Sequence, residues 1–532
     1  MSSARTTNPE AAKPTVPQDS VEQSSSDNLS RSAFTALKWN YLGVIARTVS
    51  SLAIGIVLAH LLGPVPFGQV AVAWFVIGLG TLLADFGFGS ALIQSEKLSE
   101  EDVRFVFTVQ MGLGIALSLA LALSAHWVSW LFRQPEVALV IAVMGLFFVL
   151  QAFGQTAASL LRRRLAFKEL QMAQVSSYLV GYIVFGIPLA YLGLGVWSLV
   201  IAQLSQVLIY SAYSYAKAQH SLVPLLRWRR DSLMRFGIKV ICTNVLNWVI
   251  VSLDRVFISR SFGTANLGLY DRSQTLMSTP VMTLLSALQT VLFSTYSRAQ
   301  DREAGLRRVY LASITVVAFL LLPTCLAIAF VPHTVIEGLY GQRWSAAAPL
   351  LVPIALAMPL HAMMGLAGPP LWGLGKVERE LRVEGVVVIW TVLTVLVTSR
   401  ISIYAIAWGF LGICFVRFVL LTVAVAKPLR VSAQDIIGAL RGVALLAVCT
   451  VVAVRVADTL LLGFGVQTVI RLAADSVTGL STLLVCLLGI PAIFNNARLF
   501  WTDDVLWLMG KLHIALPKFV RVPAPVASEE LL

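Results

Sequence analysis

The sequence predicts an all-α protein that crosses a membrane many times. Three observations predict it: a surplus of apolar residues, their gathering into runs about 20 residues long, and basic residues confined to alternate breaks between those runs. Of the 532 residues, 58% are hydrophobic and only 13% are charged, and the mean hydropathy is +0.81. A water-facing surface cannot clothe that composition, so the surplus apolar surface meets lipid. Inside hydrocarbon the backbone must bond to itself, and runs of this length do so as helices.

About fourteen spans follow, near residues 42–62, 69–93, 105–126, 137–160, 173–192, 195–216, 236–260, 270–293, 309–331, 347–367, 383–399, 402–425, 436–456 and 471–493. Residues 1–30 are rich in Ser, Pro, Gln, Asn and Glu and lack an apolar signal core, which reads as a disordered cytoplasmic tail. Ser30 to Tyr41 mixes Arg31 and Lys38 with Phe34, Leu37 and Trp39, as an interfacial helix does. The expected organisation is a first six-helix bundle over 31–216, a basic linker over 217–235, a second bundle over 236–426, helices 13 and 14 over 427–495, and a cytoplasmic tail over 496–532.

The net charge of +13 does not point to nucleic acid, because the bases sit between apolar runs where they meet anionic lipid. One set of connections carries Arg162, Arg163, Arg164 and Lys168, then Arg227, Arg229 and Arg230, then Arg298, Arg302, Arg307 and Arg308. The opposite set carries mainly Arg133, Arg260, Arg343 and Arg400. Positive loops stay inside, so both termini are expected in the cytoplasm of a cell with this chain in its cytoplasmic (inner) membrane. The five cysteines lie singly in separate apolar runs and read as small buried hydrophobes.

An internal repeat is visible at an offset of 200 residues. Leu62 to Gly68 (LGPVPFG) falls opposite Phe262 to Gly268 (FGTANLG), so Gly63 and Gly68 match Gly263 and Gly268. Six spans per unit is an even number, which gives the halves one orientation about an axis along the membrane normal.

Charges and amides within spans mark candidate sites, since a charge at mid-helix costs about 2.5–3.5 kcal/mol on insertion scales. Arg47 shares a face with Ser50 and Ser51. Asp85 continues a stripe from Trp74 through Gly78 and Thr81. Asn244, Asn247 and Asp254 fall on one face of span 7, with Arg255 about 100° away. Gln151 and Gln155, Gln203 and Gln206, and Gln274 and Gln289 give further polar faces, which must meet each other or water. In one reading these residues bind a substrate and a coupling ion; in the other they are contacts that fix helix register. Asp271 and Arg272 read as decoration at a helix end, and His361 as a hydrogen-bonded core residue.

The run Leu58-Ala59-His60-Leu61-Leu62-Gly63-Pro64, with Phe67-Gly68 and then Ala84-Asp85-Phe86-Gly87-Phe88-Gly89-Ser90-Ala91-Leu92-Ile93-Gln94, resembles the polysaccharide-transporter branch of the MOP exporter superfamily. His60 stands where that pattern carries a more basic residue. Leu253-Asp254-Arg255, Phe262-Gly263 and Gly268-Leu269-Tyr270 resemble the matching element of its second half. The resemblance implies two six-helix bundles around a cavity that opens to either side in turn, and a flippase for an oligosaccharide on an undecaprenyl pyrophosphate carrier. On that implication Arg47 and Arg255 hold the pyrophosphate, while Asn244, Asn247, Gln151, Gln155 and Gln274 hold sugar hydroxyls. Asp85 or Asp254 then takes a coupling proton or Na⁺, with no other cofactor. Polysaccharide polymerase and co-polymerase would be partners, besides anionic lipid. An enzyme is not expected, because no connection is large enough to house an active site and no P-loop or HExxH metal motif is present. An exporter of another lipid or drug, and a scaffold that transports nothing, stay open as alternatives.

Overall fold

A computed structural model describes residues 18–84, 92–93, 98–225, 232–298 and 303–486. Within these, the side chains of 18–38, 83–84, 232–247, 249, 287, 290–298 and 303–305 lie outside the description. The expected all-α polytopic fold is borne out, with no strand among the described residues.

The first half comprises α1 (Gln18–Leu62), α2 (Pro64–Ala84), α3 (Glu100–Leu131), α4 (Ala138–Met144), α5 (Leu146–Arg163), α6 (Phe167–Leu179), α7 (Ile187–Tyr191) and α8 (Val196–Ala218). The second comprises α9 (Ser232–Arg298), α10 (Glu303–Phe330), α11 (Pro332–Tyr340), α12 (Ala348–Met364), α13 (Gly368–Gly373), α14 (Val377–Thr398) and α15 (Ile403–Leu429). α16 (Ala433–Gly463) and α17 (Thr468–Leu484) follow. Among the described residues, eleven segments are long and apolar enough to cross a membrane. The two limbs of α9 and the shorter α17 occupy the positions of the remaining expected spans.

Three departures have local causes. α1 runs from Gln18 without a break, so residues 18–30, expected to be disordered, and the interfacial segment 30–41 continue into the first span. The stretch is polar, yet it holds no Pro or Gly between Gln18 and Leu42 that would stop a helix. Spans 7 and 8, expected to be parted by a loop, form one helix interrupted only at Gly263, whose φ of +84° no other residue adopts cheaply. The amphipathic α11 is a helix that the hydropathy pattern did not indicate. Two helix starts follow ordinary capping chemistry: Ser99 before α3 and Ser432 before α16 each close a capping box with the aspartate three residues on, Asp102 and Asp435.

The halves meet where their repeated glycines cross. Gly63 turns with φ +70°, as Gly263 does with φ +84°. A Cβ on Gly68 would lie 1.7 Å from the Thr264 carbonyl oxygen, and one on Gly268 would lie 2.0 Å from that of Pro64. Each would also approach the other glycine's backbone nitrogen to 3.0 Å. The reciprocity is that of a two-fold axis passing between Gly68 and Gly268, since Pro64 and Thr264 are themselves repeat mates. Further along α2, Gly78 leaves room for the Trp248 indole, whose Nε1 lies 2.8 Å from where a Cβ would stand. Arg260 donates to the Leu131 carbonyl at the C-terminal end of α3 (2.7 Å), and the Trp344 indole N–H donates to Ala59 of α1 (2.9 Å). Association in lipid has no hydrophobic drive between helices, so close backbone approach of this kind carries much of it.

A methyl group at Gly68 or Gly268 meets backbone, which cannot swing aside. Gly68→Ala and Gly268→Ala should each lower thermal stability in detergent by the equivalent of at least about 2 kcal/mol. Gly112→Ala on α3, where a Cβ meets nothing within 4 Å, should be neutral or slightly stabilising. Equal melting of all three variants by fluorescence-detected size-exclusion chromatography would remove the crossing as the main contact.

Candidate functional site

A cavity of about 170 Å³ lies between the halves, beside the glycine crossing. Ser51 and Gly55 of α1, Phe67 and Trp74 of α2, and Tyr178 of α6 form one wall. Arg272, Thr275 and Thr279 of the second limb of α9 form the other, and Tyr340 at the end of α11 closes one end. Below the cavity the hydroxyls of Thr48 and Thr283 meet at 3.2 Å, joining α1 to the second limb of α9.

Arg272 dominates this space. Its guanidinium carbon stands 3.8 Å from the Phe67 ring centroid, a cation–π contact. Gly55 admits it, since a Cβ there would lie 3.4 Å from Nη1. The Arg272 Nε is buried without a hydrogen-bond partner. Among the described residues no carboxylate lies within ion-pair distance, because the adjacent Asp271 accepts from Arg255 Nε at 3.3 Å. A half-buried guanidinium whose Nε has no partner can hold an anion in this cavity.

Tyr178 and Tyr182 stack opposite it, with centroids 4.6 Å apart. They sit at a π-helical turn, Val180–Gly186, a distortion often found at functional positions. Gly181 lets that turn press on α8, where a Cβ would come within 2.8 Å of the Ala202 carbonyl oxygen. Tyr182 donates to Gln203 Oε1 at 2.9 Å, which fixes the phenol at the cavity wall.

The residues singled out from the sequence fall into four groups. Arg47 is exposed on α1 and donates to Gln174 Oε1 at 3.4 Å. Gln151 and Gln155 line a separate cavity of about 70 Å³ within the first half, with Thr81 and Gln110. Asp254, Arg255 and Gln274 bind together the two limbs of α9. Tyr270 donates to Asp254 Oδ2 at 2.5 Å and Gln274 Nε2 donates to the Tyr270 oxygen at 3.3 Å, all three residues being buried. Arg255 reaches Asp271 and the Val251 carbonyl. Asp85 and the side chains of Asn244 and Asn247 lie outside the described residues. His361, expected to be hydrogen-bonded, has a buried Nδ1 without a partner.

Arg272 and Asp271 were read as helix-end decoration and instead form the cavity wall. The signal that locates them is the glycine itself. Once Gly263 is recognised as a kink and not the start of a loop, Arg272 falls about two turns inside a helix, deep enough to face the opposite half.

Residues 57–349 match the family model described as polysaccharide biosynthesis protein, which is more than half of the chain. The chain belongs to that family. The succinoglycan biosynthesis transport protein ExoT of Rhizobium meliloti is 27% identical over 321 residues, 60% of this chain and 65% of that protein, just under two thirds of the relative's length. The lipopolysaccharide biosynthesis protein WzxC of Escherichia coli is 22% identical over 363 residues, 67% of this chain and 73% of that one. A solved structure of the lipid II flippase MurJ in an inward closed conformation superposes with a TM-score of 0.68 at 13% identity, over 84% of this chain and 97% of that chain. An inward-facing multidrug resistance MATE family transporter of the MOP superfamily gives 0.54 at 17% identity, over 73% and 96%. The chain is thus a multi-pass membrane protein of the polysaccharide biosynthesis protein family with the fold of these two transporters, and its relatives are named for transport and biosynthesis.

Replacing Arg272 by Ala removes a charge from within a span, which eases insertion and does not burden it. Arg272→Ala should therefore abolish polysaccharide production by the cell while the protein stays in the membrane at its normal level. Tyr182→Phe, which removes only the hydroxyl that Gln203 holds, should lower production several-fold. Full production by the Arg272→Ala strain would rule out the anion site.

Proposed function

We propose that the chain carries lipid-linked oligosaccharide repeat units across the bacterial inner membrane by alternating access, for exopolysaccharide, capsule or lipopolysaccharide biosynthesis. The observation that carries this reading is the open guanidinium of Arg272 in an aromatic and hydroxyl-lined cavity between two repeats. A pyrophosphate and a sugar chain cannot enter hydrocarbon unaided, because their charges and hydroxyls would lose water without replacement. Arg272, with Arg47 nearer the opposite end of α1, offers charge-assisted hydrogen bonds to the pyrophosphate. Stacked Tyr178 and Tyr182 offer flat faces and hydroxyls suited to a sugar.

The apolar tail needs no such shelter. The cavity lies along the seam between α1 and the second limb of α9, so the tail can trail through that seam into lipid while the head group occupies the interior. Parting of the halves at one end while they close at the other then moves the head group without an open pore. In this reading the basic connections face the cytoplasm and the Gly63 and Gly263 turns face outward. A proton or Na⁺ taken up by Asp85 or Asp254 supplies the drive. The cavity also favours a carrier over a scaffold that transports nothing, for which a cavity-lining cation without an ion-pair partner has no use.

Purified protein in liposomes should move fluorescently labelled undecaprenyl-pyrophosphate oligosaccharide between leaflets, measured by quenching from outside. The doubly substituted Thr48→Cys, Thr283→Cys protein should lose that activity on oxidation, because a disulfide across the 3.2 Å hydroxyl contact holds the seam shut, and regain it on reduction. Undiminished movement in the oxidised, cross-linked protein would exclude the seam as the route.

A further inference from the structure

Outside the two repeats, α16 and α17 hold a buried group of charges that the carrier reading does not use. Asp458 of α16 is 3% exposed and Asp475 of α17 is 4% exposed. Asp458 is fully engaged. Its Oδ1 accepts from Arg471 Nη2 at 2.5 Å, from Arg471 Nε at 3.2 Å and from the Thr334 hydroxyl of α11 at 2.7 Å. Its Oδ2 lies 3.5 Å from Arg455 Nη1. Arg471 Nη2 also donates to the Thr334 oxygen at 2.8 Å, so α11, α16 and α17 are tied at one point. Asp475 differs. Both of its carboxyl oxygens are buried with no donor reaching them, and it stands one turn along α17 from Arg471, whose guanidinium holds Asp458.

Two carboxylates held around one arginine, out of water, repel each other, and one proton taken up by the pair relieves the repulsion. Asp458 already accepts from three donor groups and stays ionised. Asp475 has nothing to accept from, and once protonated it becomes a donor to its neighbour. We propose that Asp475 and Asp458 form a proton-binding site that clamps α11 against α16 and α17.

The geometry gives the proton something to control. α11 lies between this site and the central cavity. On one side Thr334 enters the charge group, and Gly338 packs against Leu472, whose Cδ2 would be 2.9 Å from a Cβ there. At its other end Tyr340 lines the cavity, and Trp344, just beyond, is bonded to Ala59 of α1. The charged groups facing the pair are Arg455 on α16, Arg471 on α17, and His333 and Glu337 on α11, the last two 3.6 Å apart and joined to each other. Arg455 is more than half exposed and also donates to the Phe330 carbonyl, so Arg471 alone cannot neutralise two buried carboxylates. Loss of the proton therefore drives α17 away from the α11–α16 pair and loosens the closure of the cavity at Tyr340.

Neither readout of the test needs transport, so its failure is separable from that of the carrier reading. The full chain in nanodiscs is examined by infrared difference spectroscopy between acid and alkaline pH, and by spin-label distance measurement between Cys residues at 333 and 469. Both positions are exposed. The wild type should show a protonated-carboxyl band that is lost at alkaline pH, together with a lengthening of the 333–469 distance. Asp475→Asn should lack that component of the band and hold the short distance at every pH. Asp475→Leu repeats the comparison if the amide variant fails to reach the membrane. An unchanged band, or an unchanged pH response of the distance in the Asp475 variants, would overturn the proposal.

Discussion

The structure depends on one close approach of backbone to backbone, the crossing of Gly68 and Gly268. Nothing larger than hydrogen fits at either position, because the Thr264 and Pro64 carbonyl oxygens occupy the space that a Cβ would need. The contact is built from repeat mates, so it lies on the axis that relates the halves, and neither half can tilt without altering it. The turns at Gly63 and Gly263, both at positive φ, set the angle at which α2 leaves α1 and at which the limbs of α9 diverge. Phe67, Arg272 and Tyr340 take their places around the cavity from those angles.

Below the crossing, the distribution of partners decides which charges are available. Most buried charges are spent on holding helices together. Arg255 is joined to Asp271, and Arg417 to Glu384 through two donors, at 3.1 and 2.6 Å. Asp254 is held by Tyr270, which stitches one limb of α9 to the other. Such pairs fix helix register, and breaking one leaves an uncompensated group in a medium that cannot solvate it. Arg272 stands apart because its neighbour Asp271 is engaged elsewhere, and what it meets is an aromatic ring and space.

Much of the fold was legible in the sequence because lipid imposes a strict length and polarity on every span. The repeat was legible because a turn at positive φ and a backbone crossing both demand glycine, and they demand it twice, 200 residues apart. The site was less legible. Periodicity puts Gln151 and Gln155 on one face, yet it does not say which neighbour that face meets, and it meets a small cavity inside the first half. The sequence suggests a loop before Arg272 and so puts it at a helix end, where the helix in fact resumes directly after Gly263. α11 and the Asp458–Asp475 pair depend on packing between distant segments, for which a single chain carries no local signal.

The proposed carrier requires the halves to part at the glycine crossing when the cavity opens on that side, as they part at the Thr48–Thr283 seam when it opens on the other. Spin labels at positions 65 and 265, repeat mates beside the crossing, test it most directly by double electron–electron resonance on the reconstituted protein. The account predicts two distance populations, one short as in this structure and one longer, with their balance shifted by a lipid-linked oligosaccharide and by pH. A single short distance under every condition, in protein shown to transport, would contradict it.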